Sequence, residues 1–405
     1  MNPAKPFELA QPDDIAQQHS QQLLEHIIQQ IQLSDGKIDF EQYMQLALYA
    51  PGLGYYSAGL HKFGAQGDFV TAPEISPLFA QVLAIQAEVV LEQIKQQTGQ
   101  ANLLEVGAGS GKMAGDILLE LSQRKNLPDY YYILELSADL KQRQQTYLQK
   151  TLPDYYNQII WLDKLPESGF NGLIIANELL DAFPVHLIKL DGEKIYERFV
   201  CENEGKLFFK DIESNTPEIL LMKNKIQTSI EKNVQLLDKQ TAYVTEMNSL
   251  ANQWIESMAA CLDCGAMLLI DYGYPVSEYL HPQRHKGTLM CHYKHLAHDD
   301  PFFYPGLQDI TAHVNFSDIK NTAVAAKMQV SGYTTQAHFL LSGGLVELTQ
   351  HIDINEIDKH SRMAVEIKKL TLPEEMGELF KVIYLTKDIN CPLSGFKFNN
   401  MQHRL

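Results

Sequence analysis

The residues best suited to chemistry in this sequence stand where apolar segments end. Glu105 lies two positions before a glycine loop in which Gly107, Gly109 and Gly111 alternate with small residues. Glycine has no Cβ, so its backbone can turn with a positive φ and let a ligand lie against the main chain. A second carboxylate, Glu135, ends another apolar segment, where α/β folds hold both hydroxyls of a ribose. These residues predict a nucleoside-binding loop.

Two other kinds of glycine-rich loop fit this stretch less well. A phosphate-binding P-loop requires glycine where Val106 stands and a hydroxyl residue where Met113 stands. The dinucleotide loop requires glycine where Lys112 stands. S-adenosylmethionine (SAM) carries an ammonium and a sulfonium but no phosphate, so Glu105 would attract it. The pattern predicts a SAM-binding loop, with a tight strand-to-helix turn that binds no ligand as the alternative.

A second group of reactive residues follows the apolar segment that ends at Asn177. Glu178 and Asp181 stand three positions apart and could clamp a guanidinium with bidentate, charge-assisted hydrogen bonds. The alternative is that Glu178 caps a helix and Asp181 is solvated. Base-directed amino methyltransferases place two prolines after this asparagine, and this chain has none there. His313 could accept a proton, although a buried, hydrogen-bonded histidine is an equal alternative.

The segment 287–300 is dense in histidine and includes Cys291. No second cluster completes a tetrahedral ligand set, and the pair Cys261 and Cys264 has no partner pair. We therefore predict no metal site, and we interpret this segment as a loop that contacts a peptide substrate.

Alternating strands and helices must position these residues. Continuous apolar runs predict strands at 102–106, 130–135, 158–162, 172–176 and 266–271, and a last strand at 379–386. Helical spacing or capping residues predict helices at 77–97, 113–121 and 138–150, and the region 315–360 reads as mostly helical. This order predicts an α/β protein with a doubly wound, Rossmann-like core.

The same pattern divides the chain into four parts. Residues 1–76 form an N-terminal helical and lid segment, because long irregular loops such as 52–67 are often lids. The SAM-binding core comprises 77–184 and 244–275, with 379–387 as its last strand. Residues 185–243 form an α+β insertion whose first half reads as a hairpin turning at Asp191 and Gly192. Residues 276–378 form a mainly helical substrate lobe.

Composition narrows the partners and the compartment. The formal net charge of −17 makes a nucleic-acid backbone an unsuitable partner. No apolar run approaches the roughly 20 residues that span a bilayer. The first 18 residues carry acids and no arginine, which is typical of neither a signal nor a transit peptide. The five scattered cysteines fit a reducing compartment, so we expect a cytoplasmic protein.

Several phrases of the sequence together resemble the MidA family. They include YAPGLGYY at 49–56, the run from 63 to 79, NELLDAFP at 177–184, DYG at 271–273, AHDDP at 297–301 and DITAHV at 309–314. These motifs occur in the expected order over residues 40–345. Many members have proline and arginine where Ala108 and Ser110 stand here, so an arginine contact is missing.

The resemblance implies a class I methyltransferase core with an additional α+β substrate-binding lobe. It also implies protein arginine methylation, as in a mitochondrial relative that acts on a complex I core subunit, so a respiratory complex subunit is a candidate partner. The alternatives are a small-molecule acceptor and a non-catalytic, SAM-binding assembly factor. The catalytic candidates are Glu178, Asp181 and His313. The expected cofactor contacts are Glu105, Gly107, Ala108, Gly109, Glu135, Leu136 and Asn177. The expected substrate contacts are Asp68, Thr71, Glu74, Asp271 and Tyr272, the last two as a wall of the acceptor pocket.

Overall fold

The computed structural model describes residues 9–58, 70–232, 241–350 and 357–405. The strands are β1 (Ile38–Asp39), β2 (Asn102–Val106), β3 (Tyr131–Leu134), β4 (Ile159–Leu162), β5 (Phe170–Asn177), β6 (His186–Asp191), β7 (Lys194–Asn203), β8 (Lys206–Glu213), β9 (Tyr243–Met247), β10 (Leu262–Tyr274), β11 (Met290–Tyr293), β12 (Leu296–His298), β13 (Asp309–Thr311), β14 (Val314–Asn315), β15 (Gln329–Thr335) and β16 (Phe380–Lys387). The helices are α1 (Asp14–Leu33), α2 (Phe40–Tyr49), α3 (Ala72–Ile75), α4 (Pro77–Thr98), α5 (Lys112–Gln123), α6 (Ala138–Thr151), α7 (Pro217–Lys232), α8 (Ser249–Cys261), α9 (Val276–Tyr279), α10 (Phe316–Ala325), α11 (Gln336–Ser342), α12 (Leu345–Thr349), α13 (Ile357–Thr371) and α14 (Met376–Leu379).

The chain folds into two compact units. The first comprises Met1–Phe69, Pro184–Met247 and Leu280–Ala312, and the second comprises Val70–Phe183, Asn248–Tyr279 and His313–Leu405. The second unit contains an eight-stranded sheet in the order β15-β16-β10-β5-β2-β3-β4, with β14 paired to the end of β10. From β4 to β10 neighbouring strands are parallel, whereas β16 is antiparallel to both of its neighbours. The predicted doubly wound α/β fold is confirmed.

Helices cover both faces of this sheet. Successive side chains of a strand point to opposite faces, so Leu103 of β2 packs in the cluster that contains α4 and α5. Its neighbour Leu104 packs in the cluster that contains α8 and α10. Burial on both faces explains why β2, β5 and β10 read as continuous apolar runs in the sequence.

The predicted strands are all present, with ends shifted by a few residues, but several short strands and one strand of the large sheet, β15, were not predicted. The region 315–360, expected to be mostly helical, contains β15 at the edge of the sheet. This strand reads Gln-Val-Ser-Gly-Tyr-Thr-Thr and lacks an apolar run. A strand that pairs on one side only can keep such polar residues, so apolar patterning did not reveal it.

Helix α4 is long and apolar enough to cross a membrane by length and composition alone, which the search for apolar runs in the sequence overlooked. However, 61% of its most apolar stretch is buried inside the protein. Its residues Phe79, Leu83 and Ile94 belong to the core cluster on one face of the sheet. A buried core helix passes the same test as a membrane span.

The first unit contains a five-stranded antiparallel sheet in the order β1-β7-β6-β9, with β8 paired to β7. Strands β6 and β7 form the hairpin predicted from Asp191 and Gly192. A three-stranded sheet, β12-β11-β13, belongs to the same unit. Leu23 and Ile27, which recur at helical spacing on α1, are buried with Leu187 and Val200 of the five-stranded sheet.

The units do not follow all the predicted boundaries. The range 276–378, predicted as one mainly helical lobe, is divided between the two units. Residues 280–312 belong to the first unit and include β11, β12 and β13, while 313–378 belong to the second unit and include β14 and β15. The first unit takes residues up to Phe69 rather than 76, and Pro184–Met247 rather than 185–243. These groupings depend on contacts between distant segments, which local patterns do not report.

Candidate active site

The glycine loop joins β2 to α5 at the carboxyl edge of the parallel strands, where open α/β sheets bind ligands. Gly107 (φ 72°) and Gly109 (φ 53°) lie in the left-handed region, which strains any residue with a side chain. At Gly107 a Cβ would also lie only 3.0 Å from Leu179 Cδ1. Gly107 is exposed and Ala108 is buried, so the loop presents main-chain atoms to a ligand.

Glu105 is buried beneath this loop, with 1% of its surface exposed. The Tyr131 hydroxyl donates to Glu105 Oε2 at 2.5 Å, and no residue in the described part of the chain donates to Oε1. Burial, reinforced by the charge of Glu135, raises the pKa of Glu105 to about 7 despite the tyrosine bond. An orphan oxygen on a buried acid is costly, and a cationic ligand group would relieve that cost.

Glu135 follows β3 and is held from two sides. The Ser137 N–H donates to Oε1 at 2.8 Å, and Gln144 Nε2 donates to Oε2 at 3.0 Å. A carboxylate has about four lone-pair sites, so both oxygens can still accept from ribose hydroxyls. The next residue, Leu136, is 82% exposed and offers an apolar surface beside this carboxylate.

Asn177 is the last residue of β5, which is the neighbour of β2, and Glu178 directly follows it. Glu178 has a φ of 51°, a conformation that costs about 1–3 kcal/mol for a residue with a side chain. Its backbone N–H donates to Ile270 O at 2.9 Å, which holds the turn against β10. Its Oε1 accepts from Asn177 Nδ2 at 3.1 Å and from the Ala72 N–H at 3.2 Å. Strain of this kind is typical of functional sites.

Asp271 is buried against the main chain of this turn and does not line an exposed surface. It is 1% exposed, and its Oδ2 accepts the N–H groups of Leu180 at 2.9 Å and Asp181 at 3.2 Å. Its Oδ1 accepts the N–H of Tyr272 at 2.9 Å. The sequence suggested that Asp271 contacts the substrate directly. The geometry instead makes it a positioning residue for the turn that carries Glu178 and Asp181.

Asp181 is 5% exposed and lies beside Asp271. Burial raises the pKa of Asp181 to about 6, while hydrogen bonds from Tyr272 and from the Ala182 N–H oppose the increase. Burial and the neighbouring carboxylates of Asp181 and Glu178 also raise the pKa of Asp271. Asp181 Oδ1 accepts no hydrogen bond from the residues that the structure describes. This turn therefore places three acids close together where water is scarce.

Aromatic rings surround Tyr272. The ring of His313 lies 5.1 Å from that of Tyr272, edge to face, and is stacked on Tyr274 at 5.4 Å. His313 is brought there because β14 pairs in parallel with β10, with Val314 opposite Gly273. A Cβ at Gly273 would lie 2.1 Å from Val314 O, so only glycine permits this approach. Tyr272, Tyr274 and His313 are each partly exposed.

The segment from Thr71 to Glu74 contacts the glycine loop. Ser110 donates a short hydrogen bond to Glu74, and Lys112 Nζ donates to Pro73 O at 2.7 Å. Thr71 precedes α3 as its N-cap without a side-chain hydrogen bond to the helix. Glu74, expected at the substrate, is therefore engaged by the cofactor loop. Asp68 lies outside the described residues.

Ser110, Lys112 and Gln144 are site residues that sequence reasoning missed. Ser110 and Lys112 lie within or directly after the glycine motif, which was the signal that could have identified them. Gln144 gave no such signal, because it lies on a helix rich in polar residues.

One group among the described residues has the spacing of a metal site: Asp39, His186 and Glu197, in the first unit. His186 Nδ1 lies 2.9 Å from Glu197 Oε1, and Nε2 lies 3.2 Å from Glu41 Oε2. Burial alone would lower the pKa of His186, but the hydrogen bonds and charges of Glu197 and Glu41 raise it to about 10. A protonated imidazole pairs with both carboxylates, so we describe these residues as an ion-pair cluster.

A family model of S-adenosyl-L-methionine-dependent methyltransferases matches residues 82–334 of the chain. Protein arginine methyltransferase NDUFAF7 of Danio rerio is 28% identical over 420 residues, covering 94% of this chain and 93% of the relative. The Homo sapiens protein of the same name is 27% identical, covering 90% of this chain and 83% of its own length.

Both relatives are named as mitochondrial, and so is the Caenorhabditis elegans homologue, which is 26% identical over 92% of this chain. The prediction of a cytoplasmic protein is wrong on this comparison. It rested on the composition of the N-terminus and on cysteine usage, and neither identifies a compartment by itself.

A methyl transferase-like protein of Burkholderia thailandensis, solved with bound S-adenosylhomocysteine (SAH), is 40% identical to this chain, with a TM-score of 0.91. The alignment covers 98% of this chain and 100% of that one. A second structure from the same organism has 39% identity and a TM-score of 0.88. The likeness confirms SAM as the cofactor, in agreement with the glycine loop and the buried carboxylates described above. The chain therefore belongs to the MidA-type family of SAM-dependent methyltransferases.

Proposed function

We propose that this protein methylates an arginine side chain of a protein partner. One observation carries the proposal: two carboxylates, Glu178 and Asp181, follow β5 beside the cofactor loop. Strands β2 and β5 are parallel neighbours, so their carboxyl ends lie at one edge of the sheet. The relatives compared above are named protein arginine methyltransferases.

The acceptor chemistry matches an arginine. A guanidinium is planar, positively charged and carries five N–H donors. Two carboxylates can accept several of these bonds at once and fix the orientation of the nitrogen that reacts. Tyr272, bonded to Asp181, fixes that carboxylate. The ring of His313, stacked on Tyr274, offers an aromatic face to a planar cation, and we assign His313 this role in preference to that of a proton acceptor.

Bound SAM supplies an electrophilic methyl group on its sulfonium. We propose that the main chain at Gly107, Ala108 and Gly109 supports the cofactor, with Asn177 and Leu136 as neighbouring contacts. Glu105 faces its positive charge, and Glu135 accepts from its ribose hydroxyls.

The remaining task is proton removal. A guanidinium nitrogen that gains a methyl group must lose one of its protons. We assign that proton to Asp181, whose pKa of about 6 leaves it ionised near neutral pH and still a better base than an ordinary aspartate. Glu178, anchored through Asn177 and Ala72, orients the guanidinium.

We further propose that the protein partner is a subunit of a respiratory complex, as the resemblance to a complex I assembly factor implies. The test is a mass-spectrometric comparison of methylated arginines in cells that lack this gene and express the wild type or a variant. Wild type should restore arginine methylation on such a subunit, and Asp181→Asn should not. The matched control is Glu120→Gln, a buried acid of α5 paired with Arg124, which should restore methylation fully. Identical methylarginine profiles in all cells would overturn the proposal.

A further inference from the structure

Gln144 is a buried polar residue of α6 that connects three segments around the cofactor site. None of its surface is exposed. Its Nε2 donates to Gly109 O in the glycine loop at 3.1 Å and to Glu135 Oε2 after β3 at 3.0 Å. Its Oε1 accepts from Trp161 Nε1 on β4 at 3.1 Å.

These partners permit only one orientation of the amide. A main-chain carbonyl and a carboxylate accept, whereas an indole N–H donates. Turning the amide over would set its oxygen against two acceptors and its nitrogen against a donor. Helix α6 also lies against the loop, because a Cβ at Gly111 would be 3.4 Å from Gln144 Cα. Both polar atoms of the Gln144 amide therefore have hydrogen-bond partners, and these fix its orientation.

We propose that Gln144 is a positioning residue for SAM, which fixes the Glu135 carboxylate at a set distance from the main chain of the glycine loop. The two cofactor contacts belong to different strand ends, and Gln144 is a single side chain that bonds to both. Ser137 donates to the other oxygen, Glu135 Oε1, whereas Gln144 connects this carboxylate to the glycine loop. The inference concerns cofactor binding and does not depend on the identity of the methyl acceptor.

The test is calorimetric titration of Gln144→Glu and Gln144→Met with SAH at about pH 8 and about pH 5.5. Each variant removes charge-assisted donation to Glu135, which should weaken SAH binding about tenfold to a hundredfold at the higher pH. In Gln144→Glu, the new carboxyl group and Glu135 should share a proton in acid. That proton restores a donor, so the ratio of variant to wild-type Kd should fall toward one at the lower pH. Gln144→Met cannot recover in this way.

The matched control is Gln86→Glu. Gln86 is equally buried in the same unit, donates to Gly343 O at 3.0 Å and accepts from the Gly395 N–H at 3.0 Å. Its substitution should lower the melting temperature but leave SAH affinity within about twofold. Wild-type SAH affinity in Gln144→Met, equal weakening in Gln86→Glu, or no acid recovery in Gln144→Glu would each overturn the proposal. If Gln144→Glu does not fold, Gln144→Met against the control decides.

Discussion

Each unit of this protein contains a cluster of three carboxylates, and the clusters differ in how their charge is balanced. The ion-pair cluster of the first unit consists of Asp39, Glu41 and Glu197 around His186. The imidazole accepts a proton readily, since Glu197 and Glu41 overcome its burial and raise its pKa to about 10. The cluster therefore carries its own cation.

The acceptor cluster of the second unit consists of Glu178, Asp181 and Asp271. Among the described residues, the hydrogen bonds to this cluster include those from main-chain N–H groups, an asparagine amide and a tyrosine hydroxyl. These donors are neutral, and the pKa values of both aspartates are raised by burial. Removing one partner from a self-balanced cluster destabilises the fold, whereas a cationic substrate would favour the charged form of acids whose pKa values burial has raised.

The largest expected effect comes from breaking the acceptor cluster. Asp181→Asn should reduce methyl transfer about a hundredfold to ten-thousandfold, because the amide cannot accept the proton. SAH affinity should remain that of the wild type, since Asp181 is not a cofactor contact. Steady-state turnover and calorimetry measure the two quantities separately. Loss of SAH binding in parallel with turnover would contradict the assigned role.

Replacing His186, the cation of the ion-pair cluster, should change the stability of the fold rather than the rate of methyl transfer. The pKa of His186 is raised in the folded state above about 6.5, so its contribution is fully present below that pH and is lost as the pH rises through about 10. His186→Gln should lower the free energy of unfolding by about 3 kcal/mol at pH 6. Denaturant titration should show this difference shrinking toward zero at pH 10. A difference independent of pH would mean that packing, not charge, explains the loss.

Glu105 adds a third case to the comparison of the two clusters. It is a single buried acid that accepts a hydrogen bond from the Tyr131 hydroxyl. Its folded pKa of about 7 exceeds the ordinary value of 4.5, so it lowers stability as pH rises from about 4.5 to 7. Glu105→Gln should therefore stabilise the cofactor-free protein by about 1–2 kcal/mol at pH 8. The same change should weaken SAM binding about tenfold, because a charge-assisted contact is lost. Thermal melting and calorimetry should thus change in opposite senses; a loss of both would indicate misfolding.

Tyr272→Phe should give the smallest effect. The hydroxyl of Tyr272 lowers the pKa of Asp181, so its removal should move the acid limb of the turnover profile to higher pH. At neutral pH we expect turnover to fall about twofold to fivefold, as for one hydrogen bond. A profile that moves to lower pH would exclude this bond as the link between the two residues.

Local sequence patterns predicted where the glycine loop and the carboxylates proposed to bind the cofactor lie in the fold. Glu105 lies near the end of β2, Gly107 and Glu135 directly follow β2 and β3, and parallel neighbours end at one edge of a sheet. Their approach is therefore decided by strand order, which alternating elements predict.

The interior of the site could not be predicted in the same way. Asp271 and Asp181 are 90 residues apart, and Gln144 and Gly109 are 35 apart. Apolar periodicity reports which face of an element is buried and not which polar partner it meets. Asp271 was thus expected at the substrate and Glu74 was not connected to Ser110, although Asp271 and Glu74 were both predicted as part of the site.

The most direct test of the account is to identify the amino acid that receives the methyl group. The purified protein would be incubated with methyl-labelled SAM and an extract of cells lacking the gene, and labelled protein would be hydrolysed and resolved into amino acids. The account predicts label in methylarginine with the wild type and none with Asp181→Asn. Label in another residue or in a small molecule, or equal labelling with both proteins, would contradict it.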